Sequence, residues 1–294
     1  MTLAEMIGNG LCHSFSGDGR LDILARSEST GDLYLVPHSG RFRGTGTYGE
    51  PVKIAENFHH LRNHYMVRTI DIDGSGRAHV LALSTLKYNP FEGVFLYPNK
   101  GLNGLDTLGE PIKISGRRAD RRWETMAIGS LGEGPDVMFG REQDQGGVHA
   151  FFSQGEVVES ETYDRTPHPM VTVDVADFPW TLADITRTGR PDLLVVRANG
   201  DLDAYEFGPG TLTNGEAFAH QGTWHTIRRD WDAKVFAVTD VDLDGNPDLL
   251  ALTEDGTLLA YVHSGKFDPD NPEATYAAEP EVVATGWQDF NSIS

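Results

Sequence analysis

The chain has 294 residues, a formal net charge of −20 and a sequence pI near 4.8. This negative charge repels the phosphates of nucleic acids and anionic membrane surfaces, so we expect neither as a partner. The only cysteine, Cys12, excludes an intrachain disulfide, no apolar stretch is long enough for a membrane span, and residues 1–10 lack the pattern of a signal peptide, which predicts a cytoplasmic protein.

Five copies of a short acidic loop divide the chain into repeats. Each copy precedes a short apolar run, and the loop glycines are spaced 55 to 58 residues apart. These glycines are Gly19, Gly76, Gly134, Gly189 and Gly245. A turn and an aromatic-tipped strand follow, as in residues 200–205 and 256–261. About four short strands in each repeat predict an all-β fold, namely a single five-bladed β-propeller with four antiparallel strands per blade.

The repeats also predict the blade boundaries and the closure of the ring. In chain order, the blades are expected over residues 10–56, 66–115, 124–162, 178–224 and 233–284. We expect the innermost strand of the first blade near residues 11–14. The C-terminal segment must meet the N-terminus, because an open ring would expose a strand edge. Residues 1–294 are therefore predicted to form one domain.

The most complete copy of the loop has the pattern expected of a cation site. Asp240, Asp242 and Asp244 alternate, Gly245 follows, and Asp248 precedes an apolar run. Carboxylate oxygens at this spacing suit calcium, and the glycine permits the sharp turn. Four carboxylates so close together would repel one another without a cation or shared protons. The loop is too short for a helix–loop–helix calcium site, so we predict a structural calcium ion within the fifth blade.

The pattern D-x-[DNT]-x-D-G-x-x-D-[LI] before a buried strand resembles the FG-GAP or VCBS repeat of integrin-α-like β-propellers. The resemblance covers nearly the whole chain and is strongest at residues 240–249, with further copies at 184–193 and 14–23. It implies a propeller in which the loop joins the innermost strand of a blade to the second strand and often holds calcium. The family's functions are too diverse for the resemblance to imply one.

The second and fourth loops are further candidates for calcium. The second loop has Asp71 and Asp73 but carries His79 at the last acidic position, and a neutral imidazole is a poor calcium ligand. The fourth loop has Asp184 and Asp192 with threonines between them, whose hydroxyls could close the turn without a cation. No organic cofactor is expected, because the phosphate-binding and dinucleotide-binding motifs are absent in a suitable context.

Positive charge is concentrated in the segments that we predict as connectors between blades. These segments, at residues 57–65, 116–123, 163–170 and 224–232, contain eight arginines and five histidines in a strongly acidic protein. The candidate acid–base groups are His64, His168 and His225, and the candidate anion-binding groups are Arg122 and Arg229. The candidate ligand contacts are Tyr65, Trp123, Trp180, Trp231, Asp230 and Phe290, and Trp224 is a further aromatic residue of these segments.

We interpret this distribution as one asymmetric ligand site in a central funnel. The predicted function is a cofactor-independent enzyme of the lyase, isomerase or cyclase type that acts on a small anionic or aromatic-containing molecule. The alternative is a carbohydrate-binding, lectin-like propeller or a protein-interaction propeller without catalysis. A multivalent lectin would repeat its binding residues in each blade, whereas the predicted connectors differ from blade to blade. We expect a monomer or a small homo-oligomer.

Overall fold

The computed structural model describes residues 14–58, 66–72, 77–84, 93–114, 123–129, 137–142, 147–151, 168–172, 180–189, 191–207, 222–233 and 235–294. Within these residues the protein consists of strands and one short 3-10 helix at Pro272–Thr275. Among the same residues, no helix is long and apolar enough to cross a membrane.

Twenty strands form five antiparallel sheets of four strands each. The first sheet contains β1 (Ile23–Ser27), β2 (Leu33–Val36), β3 (Val52–Ala55) and the C-terminal β20 (Phe290–Ile293). The second sheet contains β4 (Met66–Ile70), β5 (His79–Ser84), β6 (Gly93–Tyr97) and β7 (Ile112–Lys113). The third contains β8 (Trp123–Gly129), β9 (Val137–Glu142), β10 (Gly147–Phe151) and β11 (His168–Thr172). The fourth contains β12 (Trp180–Ala183), β13 (Asp192–Val196), β14 (Leu202–Glu206) and β15 (Thr223–Arg228). The fifth contains β16 (Val235–Thr239), β17 (Asp248–Leu252), β18 (Leu258–Tyr261) and β19 (Glu281–Ala284).

The hydrophobic core lies between consecutive sheets. On β17 every residue is buried, because successive side chains point to opposite faces and both faces are covered. Leu249 packs with Leu194 of the fourth sheet, whereas Leu250 packs with Ile23 of the first. Similar clusters join the first sheet to the second and the second to the third. Short apolar runs without polar alternation are therefore what a strand between two neighbouring sheets requires.

The sheets are arranged around an axis. Strands β20, β4, β8, β12 and β16 contact one another in this cyclic order, so one strand of each sheet faces the centre. The prediction of an all-β protein with a propeller arrangement is confirmed. The innermost described strand of the first sheet is the C-terminal β20, which pairs with β1. Residues 11–13, most of the segment predicted for this strand, lie outside the described residues.

Two of the predicted connectors are partly outermost strands. Strand β11 begins at His168, within the segment predicted as 163–170, and β15 covers most of the segment predicted as 224–232. The reason is visible in the burial of β15, which alternates between buried and partly exposed residues. An outermost strand has one face toward solvent, so its polar and charged residues look like those of a loop in the sequence.

Candidate functional site

The acidic loop of the fifth sheet brings three carboxylates together. One oxygen each of Asp240, Asp242 and Asp244 lies within 4.8 Å of the other two. Asp240 is fully buried, Asp242 is half-buried and Asp244 is exposed, so the group opens toward solvent on one side. Hard oxygen donors at this separation suit calcium, which takes six to eight oxygen ligands. These three residues could supply part of such a ligand set.

Hydrogen bonds within the loop fix these carboxylates. The backbone N–H groups of Asp244 and Gly245 donate to the two oxygens of Asp240, at 2.9 and 2.8 Å. The N–H of Asp244 also lies 3.1 Å from Asp242 Oδ1. The turn requires positive φ at Leu243 (64°) and Gly245 (87°), and only glycine adopts such values without strain. The loop is thus closed by its own backbone around Asp240.

Asp248 has a different role from the one predicted for it. Its side chain is fully buried and is not part of the group of three. Asp248 Oδ2 accepts the N–H of Val241 at 2.8 Å, and Oδ1 accepts the N–H of His263 at 2.7 Å. This carboxylate ties the acidic loop to the segment that follows β18. The prediction of Asp248 as a fourth metal ligand is not supported by its position, which lies outside the group of three carboxylates.

The electrostatics of the loop favour neutralisation of its acids. Burial raises the pKa of Asp240 to about 6 and that of Asp248 to about 8. Burial and the neighbouring Asp244 raise the pKa of Asp242. A carboxyl group that is costly to ionise can be stabilised by a proton or by a nearby cation. The donor set and the charge of the loop are therefore compatible with a bound divalent cation.

The corresponding loops of the first and fourth sheets form the same turn with fewer acids. In the fourth, the N–H groups of Thr188 and Gly189 each lie 2.9 Å from an oxygen of Asp184. In the first, Ser14 Oγ accepts the N–H groups of Gly17 and Gly19 at 3.0 and 3.1 Å. The backbone turn thus forms without a cluster of carboxylates. Within the described part of the chain, the fifth loop alone groups three potential metal-ligating side chains.

The second loop lies mainly outside the described residues, which omit 73–76, and its calcium site stays a prediction. His79 is described and corresponds to Asp248 of the fifth loop. Its Nδ1 accepts the N–H of Asn99 at 3.0 Å, as Asp248 Oδ1 accepts the N–H of His263. In the fourth loop, Asp192 accepts the N–H of Thr186 at 2.7 Å and its hydroxyl at 3.0 Å. Burial raises the pKa of Asp192 to about 8. In the second, fourth and fifth loops, the last position therefore serves as a hydrogen-bond acceptor.

Of the predicted acid–base and anion-binding residues, the two whose side chains are described, His225 and Arg229, are not brought together. His225 is buried on the outermost strand β15, where its Nε2 lies 3.1 Å from Glu206 Oε2 and its ring contacts that of Phe267. Arg229 follows the same strand, is exposed, and pairs with Glu273 at 2.7 Å. Four residues of extended chain separate their Cα atoms by about 13 Å. Each side chain thus has its own local partner, far from the innermost strands.

Trp231, one of the predicted ligand contacts, is part of the core. Trp231 is 7% exposed and packs against Phe236 and Tyr261, with ring centroids 5.9 and 5.4 Å away. The backbone N–H of Trp231 donates to Gly200 O at 2.7 Å, and the backbone N–H of Trp287 donates to Gly256 O. Both tryptophans anchor a connector to a hairpin turn, and the described contacts of Trp231 are those of a core residue.

Two further predicted contacts also have local structural partners. Phe290, on β20, contacts Tyr34 and Trp287, with ring centroids 5.8 and 5.1 Å away, and belongs to the core between the fifth and first sheets. Asp230 is exposed, has φ of 51°, and its backbone N–H lies 3.3 Å from Asp201 Oδ1.

The remaining predicted site residues are described only in part or not at all. His64, Tyr65 and Arg122 lie outside the described residues. His168 begins the outermost strand β11, whereas Trp123 and Trp180 begin the innermost strands β8 and β12 of neighbouring sheets. The two tryptophans are therefore the predicted contacts that the backbone places near the axis.

A cluster on the fourth sheet was not predicted as a site. The guanidinium carbon of Arg197 lies 3.6 Å from the ring centroid of Trp224, and Arg197 Nε lies 2.8 Å from Asp203 Oδ2. The ring of Tyr205 is 4.7 Å from that of Trp224. Trp224 is half-buried, and the side chain of Asp203 is 14% exposed. We call Arg197, Asp203, Tyr205 and Trp224 the rim cluster.

The rim cluster follows from the strand register. Asp203 pairs with Thr226 and Tyr205 with Trp224, so alternating residues of β14 and β15 share one face of the sheet. The opposite face carries Leu202 and Ala204, which pack toward the fifth sheet. The signal in the sequence is the alternation of Asp203 and Tyr205 with small apolar residues.

The comparisons with known proteins found neither a matching family model nor a matching curated protein. Among solved structures, the chain is similar to a lectin from Agrocybe aegerita that specifically recognises non-reducing terminal N-acetylglucosamine. The sequences are 16% identical, and the match covers 96% of this chain and 67% of the lectin, with a TM-score of 0.47. A similarity of this size assigns no function to the chain.

Proposed function

We propose that the protein is a carbohydrate-binding β-propeller that does not catalyse a reaction. We also infer that its five sheets are the blades of one closed ring. The observation that supports the proposal is the separation of the two predicted catalytic residues whose side chains are described, His225 and Arg229. General acid–base catalysis needs its groups within hydrogen-bond reach of one substrate, about 2.6–3.2 Å. His225 and Arg229 have separate partners in Glu206 and Glu273, so they do not converge on one substrate.

The rim cluster offers the chemistry that a sugar requires. Sugar rings present C–H groups that pack on aromatic rings, and hydroxyls that donate to carboxylates and accept from guanidinium groups. Trp224 supplies a half-buried indole, and Arg197 and Asp203 supply a charged pair beside it. Asp203 Oδ1 is buried without a hydrogen-bond partner among the described residues, so it retains acceptor capacity at this place. We propose that a sugar binds at this rim.

Glycan-array binding followed by titration calorimetry tests this proposal. Trp224→Ala should abolish the binding of the best glycan, and Trp224→Phe should retain part of it because an aromatic ring remains. Arg229→Ala is the matched control, since it removes an exposed ion pair outside the cluster. Binding that is lost in Arg229→Ala but kept in Trp224→Ala would contradict the site. Binding of a protein partner but of no glycan would favour the protein-interaction alternative.

We further propose that the fifth loop binds calcium through Asp240, Asp242 and Asp244. The support is the grouping of three carboxylates within 4.8 Å in a loop where burial opposes the ionisation of Asp240. Calcium should raise the melting temperature of metal-stripped protein, and Asp242→Asn should remove this response. Asp106→Asn, at an exposed acid of a second-sheet loop, should leave it unchanged. A melting temperature that does not respond to calcium in the wild type would refute the site.

A further inference from the structure

Polar side chains form hydrogen bonds across three of the boundaries between consecutive sheets, which we call seams. Each belongs to the residue two positions after the end of the third strand of its sheet. Each contacts a main-chain carbonyl in the acidic loop of the preceding sheet. The three contacts are His38 Nε2 with Val241 O at 2.9 Å, Asn99 Nδ2 with Phe15 O at 2.7 Å and His263 Nε2 with Ile185 O at 3.1 Å.

The strand registers show that these contacts are equivalent. Ile23 pairs with Val36, Val80 with Tyr97, and Leu249 with Tyr261, and the contacting side chain lies two residues after the second member of each pair. The acceptor is equivalent as well, since each carbonyl belongs to the residue after the first position of the loop. The same hydrogen bond is thus built three times from two kinds of side chain.

Each of these side chains is also held by its own loop. The N–H of Gly40 donates to His38 Nδ1 at 2.9 Å, and the N–H of Gly265 donates to His263 Nδ1 at 2.9 Å. Asn99 Oδ1 accepts the N–H of Gly101 at 2.8 Å. Because Nδ1 accepts a hydrogen bond in each histidine, Nε2 must carry the hydrogen that points to the carbonyl. All three side chains are buried, with exposures of 2% to 6%.

We propose that His38, Asn99 and His263 are seam latches that hold consecutive sheets together, and that the His38 latch closes the ring independently of the C-terminal strand. Strands β1 to β3 join the rest of the ring through the pairing of β1 with β20. The His38 latch is a second link, between residues 203 positions apart in the sequence. It reaches the fifth sheet directly rather than through β20.

The fourth sheet shows that the latch is a property of particular seams. By the same register, in which Leu193 pairs with Tyr205, its latch position is Phe207. A phenylalanine side chain has no hydrogen-bond donor, so this seam cannot form the contact. The corresponding position of the third sheet lies outside the described residues.

Hydrogen exchange and thermal unfolding of latch variants test the proposal. Asn99→Leu keeps a similar volume but leaves Phe15 O and the N–H of Gly101 without this partner, so the amide of Gly101 should exchange at least about tenfold faster. Asn99→His should restore much of the protection, because an imidazole makes the same two hydrogen bonds at the other seams. Equal damage in Asn99→His and Asn99→Leu would overturn the latch role, because a purely volume-filling position would give that result.

The independent closure is tested at His38. In His38→Ala, the amide of Gly40 should lose protection, whereas the amides of Leu24 and Ser294, which join β1 to β20, should keep theirs. His38→Asn should recover protection at Gly40 and provides the measurement if the alanine variant does not fold. Joint loss of protection at Gly40, Leu24 and Ser294 would overturn the claim of a separate closure. Unchanged exchange at Gly40 would overturn the latch itself.

Discussion

Replacement of Trp231 separates a core role from a ligand-binding role. The side chain is 7% exposed, packs with Phe236 and Tyr261, and lies in the core shared by the fourth and fifth sheets. Truncation of a buried tryptophan to alanine removes its transfer free energy and leaves a cavity. We therefore expect Trp231→Ala to lower the free energy of unfolding by about 3–5 kcal/mol. Arg229→Ala, at an exposed ion pair, should change it by about 1 kcal/mol or less.

The indole nitrogen of Trp231 refines this prediction. Nε1 is buried and has no hydrogen-bond partner within the described residues. Trp231→Phe keeps an aromatic ring and removes this unsatisfied group, so it should cost much less than the alanine variant. Urea unfolding of the three variants, monitored by far-UV circular dichroism, measures the differences. A Trp231→Ala protein of unchanged stability that no longer binds its ligand would refute the core assignment and return Trp231 to a pocket wall.

The remaining predictions concern the loops and the ring. Leu243→Gly should raise the free energy of unfolding by up to about 1 kcal/mol in a thermal melt, because Leu243 has a φ of 64°; a lower stability would contradict the strain. Burial lowers the pKa of His38 and His263, so the unfolded chain binds protons that the folded chain does not. The stability that these two histidines contribute is therefore present above pH 6.5 and is lost as the pH falls below that value. His38→Asn should therefore weaken the loss of stability between pH 6.5 and 5, and an unchanged pH profile would count against this. Deletion of residues 287–294 should expose the edge of β1 and cause aggregation, and a monomeric truncated protein with the same melting temperature would contradict the closure.

The sequence predicts the architecture well because its signal is repeated. A loop glycine and a following apolar run recur at a nearly constant interval, and each second strand needs apolar residues on both faces. Residues 248–252 show the reason, since all five are buried between neighbouring sheets. The repeat interval of the loop glycines and the buried second strands therefore indicate the same arrangement of sheets. The prediction holds even though one copy of the loop, around Gly134, is incomplete.

The candidate site was harder to predict because its signals are not periodic. His225 and Trp231 were assigned to a funnel connector, but β15 is an exposed outermost strand and the tryptophan after it fills the core. Asp248 fits the metal pattern in sequence, yet it lies outside the group of three carboxylates and ties the loop to the segment after β18. Composition identifies residue types suited to binding, whereas their direction depends on pairing and twist that a single sequence does not contain.

The rim cluster and the latches depend on contacts between distant segments. Arg197 and Trp224 come from different strands, and their stacking follows from the register of β13, β14 and β15. His38 looks like an isolated histidine before a glycine, and its role becomes evident only where it meets Val241. The similar short segments around His38 and His263 are the signal that could have indicated a shared structural task.

The claim that this propeller binds a sugar without converting it is tested most directly by proton NMR of the sugar itself. The glycan selected on the array is mixed with the protein, and saturation transfer is recorded together with the sugar spectrum over a long incubation. We expect transfer to the ring protons of the sugar, loss of that transfer in Trp224→Ala, and a sugar spectrum that stays unchanged with time. New product signals that grow in with the wild-type protein, or transfer that persists in Trp224→Ala, would contradict the account.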